Sequence, residues 1–236
     1  MSTATELVEH RDSPYFGLDY YEEKFGAWFF GREAEGGKVI TNLRASRLTL
    51  LHAESGVGKS SLLRAGVAWR MQKLAEDSLA RRGSARSIPV VFSSWTDDPG
   101  QRLVTAISKA IGPYLAGIPE PELPPDCLDA AIEIASGAAT ASLLLMLDQF
   151  EEYFLYCASE PTPERFADQL AACINRPDLR ANFLIAIRTS PGLPPTAARS
   201  GSRPRCYNWL WRRSGSESGP RARMNCACRR CRTCTG

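Results

Sequence analysis

Within eight positions, Ala53-Glu54-Ser55-Gly56-Val57-Gly58-Lys59-Ser60, the chain brings together two glycines, an ammonium and two hydroxyls. Such a set can hold a chain of phosphates. Backbone N–H groups converge on an anion only where the main chain takes dihedrals that a Cβ opposes, and Gly56 and Gly58 supply that freedom. Lys59 offers a charge for the outer phosphates, and the Ser60 hydroxyl is a hard oxygen ligand for magnesium. The pattern G-x-x-x-x-G-K-[ST] is met except at its first position, where Ala53 stands in place of glycine. Ser55, Val57 and Ser61 complete the candidate nucleotide-contacting segment. The bland alternative is a Gly-Lys-Ser turn in front of a helix, without a ligand.

A second set of chemical groups comes after five apolar residues, Leu143 to Leu147: Asp148-Gln149-Phe150-Glu151-Glu152. A phosphate loop needs a carboxylate from another strand to hold magnesium through water, and Asp148 suits that role. Hydrolysis needs a base or a group that orients the attacking water, and Glu151 and Glu152 are both candidates. The same three acids would also serve as the cap and first turn of a helix, where negative charge is favoured. Arg188 ends a further apolar run, Phe183 to Ile187.

These groups must be brought together by the elements that carry them. Arg47 to His52, Ile88 to Phe92, Leu143 to Leu147 and Phe183 to Ile187 read as strands, and the last two are apolar at every position, as strands covered on both faces are. Helix-like spacing runs from Glu33 to Arg44, and from Ser60 to Arg82 with Leu63, Val67, Met71 and Leu74 as its apolar stripe. A helix is expected from about Gln101 to Leu115, and another from an Asp126 N-cap to Ser136 after a Pro-rich connection. Alternating strands and helices predict an α/β fold with a parallel sheet and helices on both faces, whose ligands sit at the carboxyl ends of the strands. The phosphate loop, Asp148 and Arg188 all fall at such ends.

The net charge of +3 hides a division. Residues 189–236 hold ten arginines, no lysine and one acid, Glu217, leaving 19 basic and 25 acidic residues before them. A nucleic-acid partner would rest on that tail alone. Five of eight cysteines also lie there. Cys127, Cys157 and Cys173 are scattered through the body, as in a reduced intracellular protein. With no membrane-length apolar run, a cytoplasmic protein is expected.

Taken together, Phe30-Gly31-Arg32-Glu33, the segment from Glu54 to Gly66, Asp148-Gln149-Phe150-Glu151-Glu152 and the strand ending in Arg188 resemble the STAND class of signalling P-loop ATPases, within the AAA+-like group. The resemblance spans about Pro14 to Arg188. It implies a P-loop NTPase core that binds ATP with Mg2+ and turns it over slowly, with exchange or hydrolysis tied to self-association and to protein signalling partners. It also implies that Gly31 and Arg32 lie near the adenine, that Arg188 senses the γ phosphate, and that Glu151 is the better of the two candidate bases.

The expected organisation is a flexible start over 1–13, an ATPase core over 14–188 and an irregular tail over 189–236. The Arg, Gly, Pro and Cys mixture of the tail is what an out-of-frame reading of GC-rich coding sequence gives, and its C-x-C-x-x-C-x-x-C run is a weak zinc pattern. The chain thus reads as an ATPase module without its readout. Two rival functions fit the same loop: a small-molecule kinase, and an inactive fragment or nucleotide-binding interaction module.

Overall fold

The computed structural model describes residues 21–115, 117–156, 163–188 and 223–226. The chain enters through a 3-10 helix, Glu23–Trp28, and then forms α1 (Glu33–Ala45), β1 (Leu48–Ala53) and a helical stretch made of α2 (Lys59–Ser61), a π-helical segment (Leu62–Ala68) and α3 (Trp69–Arg82). Next come β2 (Ser87–Phe92), α4 (Pro99–Ile111), α5 (Leu128–Ala138), β3 (Ser142–Leu147), α6 (Glu151–Tyr156), α7 (Pro163–Asn175), β4 (Ala181–Arg188) and β5 (Arg223–Cys226). The sheet order is β2-β3-β4-β1-β5, and every pairing is parallel.

The continuous apolar runs are explained by two cores, one on each face of the sheet. Successive side chains of a strand point to opposite faces. Leu143, Leu145 and Leu147 join Phe183, Ile185 and the α4, α5 and α7 side chains in the larger core. Leu144 and Met146 join Leu184, Ala186, Val39 and Leu43 in the smaller one, under α1 and the helix after β1. The parallel α/β expectation holds, with each of its four strands within a residue or two of where the sequence puts it.

Four expectations are corrected. The helix after the phosphate loop is not a uniform α-helix, because Leu62–Ala68 is π-helical and the Trp69 N–H bonds back to Arg64 O. The wider turn shifts the phase of the helix beyond it: Leu63, Val67 and Met71 are buried, but Ala75 takes the next inward position and Leu74 is half exposed. Helix α4 ends at Ile111 and gives way to a 3-10 turn, Gly112–Tyr114, so the expected stretch to Leu115 is only partly α-helical. Asp126 is not the cap of α5. The N-cap position belongs to Cys127, without a side-chain cap, and the Leu128 N–H donates instead to Gln169 Oε1 of α7 at 3.1 Å. Finally, within the tail expected to be irregular, Arg223–Cys226 pairs with β1 along Thr49 to His52. Ladder bonds are made by main-chain groups, so such pairing needs no particular side chains.

The expected start over 1–13, Cys157 and the rest of the tail, including Cys228, Cys231 and Cys234, lie outside the described residues. Among the described residues, no helix is long and apolar enough to cross a membrane.

Candidate functional site

Because β4 lies between β1 and β3, the phosphate loop, Asp148 and Arg188 come from three neighbouring strand ends. Ala53, where the loop begins, is in register with Arg188. The Asp148 N–H donates to Phe92 O at 2.8 Å, and the Phe150 N–H to Ala186 O at 3.0 Å, so the acidic turn is stitched to both adjoining strands. Gly56 and Gly58 have φ of 77° and 75°, the left-handed region that favours glycine. Gly58 is also the N-cap of the helix that starts at Lys59.

The Lys59 ammonium donates to Ala53 O and Glu54 O, both at 2.8 Å, and so lies folded against its own loop. Burial lowers its pKa, while Glu151 and Asp148, in that order, raise it. The Ser60 hydroxyl lies near the Asp148 carboxylate and pulls its pKa down. Asp148 is almost wholly buried. Burial raises its pKa, against the opposing pull of the Ser60 hydroxyl, the Gln149 N–H at 3.0 Å and the charge of Arg64. A divalent cation held between this hydroxyl and this carboxylate would offset the cost of burying the charge, so the residues present fit magnesium.

The two glutamates differ. Glu151 Oε2 accepts the Arg188 backbone N–H at 3.0 Å, whereas burial, then Glu151 and Asp148, raise the pKa of Glu152. The Arg188 side chain is exposed at the strand end. Ser61 is turned toward the entering chain, its Oγ accepting the Tyr21 N–H at 3.2 Å. Gly31, at φ 86°, donates its N–H to Glu33 Oε1 and sets Arg32 at the start of α1. From there Arg32 reaches Val57 O and Gly58 O across the loop.

Two participants have no signature in the sequence. Trp95 Nε1 donates to Asp148 O at 2.7 Å from within an aromatic cluster of Phe92, Phe150, Tyr153 and Phe166. Arg64 joins Glu23 at 3.2 Å to Ser93 Oγ at 2.8 Å, tying the 3-10 helix to the end of β2. Both contacts span many residues, and only the fold reveals them.

A parallel sheet with a glycine-rich loop between β1 and a helix, facing a buried carboxylate at the end of β3, defines a P-loop NTPase. The chain matches the family described as Novel STAND NTPase 1 over residues 14–192, and it belongs to that family. No curated protein matches it. Among solved structures it is similar to the ORC2 protein of Aeropyrum pernix, in ADPNP-ADP complexes, at 16% identity and a TM-score of 0.47 over 68% of this chain and 42% of that one. It is also similar to the ORC1 protein of the same organism in complex with DNA, at 18% identity, a TM-score of 0.41 and coverage of 70% and 40%. A Walker-type ATPase of Pyrococcus abyssi gives 16%, 0.40, and coverage of 68% and 45%. The chain spans less than half the length of each.

Proposed function

We propose that this chain is the ATP-binding and slowly hydrolysing core of a signal-transduction switch. The observation that carries the reading is a lysine folded into a glycine-rich loop, bonded to the Ala53 and Glu54 carbonyls, with the buried Asp148 carboxylate at the end of β3. On this reading the N–H groups of the loop take the β phosphate, and Lys59 leaves the Ala53 and Glu54 carbonyls for the phosphate oxygens. Ser60 and Asp148 would hold magnesium, which when bound would neutralise developing charge on the phosphates. Glu151, whose carboxylate is fixed at the end of β4 by the Arg188 N–H, orients the attacking water. Arg188 answers the state of the γ phosphate from the end of β4.

The family's switch behaviour adds self-association through the core and a protein signalling partner. A cytoplasmic setting, where ATP and magnesium are plentiful and thiols such as Cys127 and Cys173 stay reduced, agrees with both.

The test is the thermal midpoint with and without magnesium-ATP, beside Lys59→Ala. At 100 times the dissociation constant a ligand stabilises by about 2.7 kcal/mol, a rise of roughly 5–10 °C for a chain of this size. The rise is expected in the parent and absent from the variant, and phosphate release without an added acceptor then separates hydrolysis from kinase chemistry. A parent with no shift would sink the reading.

A further inference from the structure

Arg32 stands 26 positions before Gly58, yet one of its nitrogens, Nη1, donates to Val57 O at 2.9 Å and to Gly58 O at 3.2 Å. The Gly58 oxygen also accepts the Leu62 N–H at 2.9 Å, so both its lone pairs are used. In a trans peptide the carbonyl of one residue and the N–H of the next point in opposite directions. Fixing the carbonyls of Val57 and Gly58 on the Arg32 side therefore aims the N–H groups of Gly58 and Lys59 to the other side. The guanidinium is itself held: Nε donates to Glu35 Oε2, and both side chains are about three-quarters buried. A Cβ on Gly58 would come within 3.1 Å of Nη1, so a side chain there would push the guanidinium back by a few tenths of an ångström, in addition to the strain of the positive φ.

We infer that Arg32 is a positioning residue of the phosphate loop, acting through the backbone of Val57 and Gly58 and anchored by Glu35, so that the loop is shaped for a polyphosphate before the ligand arrives. This rests on the nucleotide reading above and deepens it. Arg32 then serves any polyphosphate alike, with or without a base. A residue touching adenine would serve only the nucleotide.

Affinities of the full chain for magnesium-ATP and for magnesium-tripolyphosphate, which has no base or ribose, test the point in the parent, Arg32→Ala, Arg32→Lys and Glu35→Gln. Losing a charge-assisted contact to two carbonyls should weaken both ligands by the same factor, roughly 10–100-fold for Arg32→Ala. Arg32→Lys should recover little, since an ammonium lacks the fork that engages two carbonyls and Glu35 together. Glu35→Gln keeps the guanidinium and gives a smaller loss, again equal for the two ligands, and it carries the test if Arg32→Ala does not fold. Weakened ATP with unchanged tripolyphosphate would overturn the inference in favour of a base contact. A lysine variant with parental affinity would overturn it too, by showing that charge alone suffices. A parent that binds neither polyanion would remove the nucleotide reading itself.

Discussion

The Glu151 carboxylate accepts the backbone N–H of Arg188 at 3.0 Å, closing the acidic turn after β3 onto the end of β4. Glu152, one residue on, has no such strand-end contact among the described residues, and burial raises its pKa. The two glutamates should therefore behave differently. Glu151→Gln should bind magnesium-ATP with near-parental affinity and lose about 10²–10⁴-fold in turnover, the usual worth of a positioned base. Glu152→Gln should lose less than about tenfold on the same scale. Single-turnover hydrolysis of both variants checks this, and a larger loss for Glu152→Gln would exchange the roles.

Asp148 sets stability against function. Its folded pKa is raised, chiefly by burial, so the folded state binds its proton more tightly than the unfolded chain does. Between the unfolded and folded values stability falls as pH rises, and at neutral pH the buried charge is a net cost. Asp148→Asn keeps an acceptor for the Gln149 N–H and a partner for the Ser60 hydroxyl without that charge. Without magnesium or nucleotide its thermal midpoint at pH 7 should rise by roughly 2–4 °C, and the parent should gain stability over the variant as pH is lowered through the folded pKa. The variant should also lose the extra stabilisation that magnesium adds to ATP. A lowered midpoint in ligand-free buffer would count against this account of Asp148.

What the sequence discloses is set by how local the cause is. The strands are legible because Leu143 to Leu147 and Phe183 to Ile187 are apolar on both faces, and Gly56, Gly58, Lys59 and Ser60 are legible because their spacing is fixed by the phosphate they would wrap. The Arg32 grip on Val57 and Gly58, the Gln169 cap on Leu128 and the Trp95 bond to Asp148 join positions 25 to 53 residues apart. No periodicity records such contacts. The π-helical segment is hidden for another reason: of its seven residues all but Arg64 are buried, and one polar side chain is too little to mark its phase.

The described body cysteines should differ in reactivity. Cys173 is buried in α7, where burial above all pushes its thiol up to about 12, while Cys127 is exposed at the start of α5. The thiolate is the reactive form. Alkylation of the native chain at pH 8, with peptide mapping afterwards, should modify Cys127 within minutes and leave Cys173 unmodified until denaturant is added. Because the folded thiol holds its proton more tightly than the unfolded one, Cys173 also makes stability fall as pH rises from about 9 toward 12. Equal labelling of the two thiols in the native chain would show that α7 is not packed as described.

Trp95 ties the aromatic core to the geometry of the acidic turn. It is buried, meets Phe92, Phe150, Tyr153 and Phe166 edge-on, and donates Nε1–H to Asp148 O at 2.7 Å. Just after that carbonyl, Gln149 sits at φ 53°, a conformation that costs a non-glycine residue about 1–3 kcal/mol and persists only when its surroundings enforce it. Trp95→Phe keeps an aromatic ring but removes the donor and part of the volume. The buried carbonyl left behind costs about 1–3 kcal/mol, and the cavity adds to it. A midpoint lower by roughly 4–12 °C is expected. The more telling readout is metal dependence: with the Asp148 peptide free to turn, magnesium should strengthen ATP binding less in Trp95→Phe than in the parent, while binding of ATP without magnesium stays near parental. Equal magnesium enhancement in the two proteins would mean that Trp95 stabilises the core without orienting Asp148.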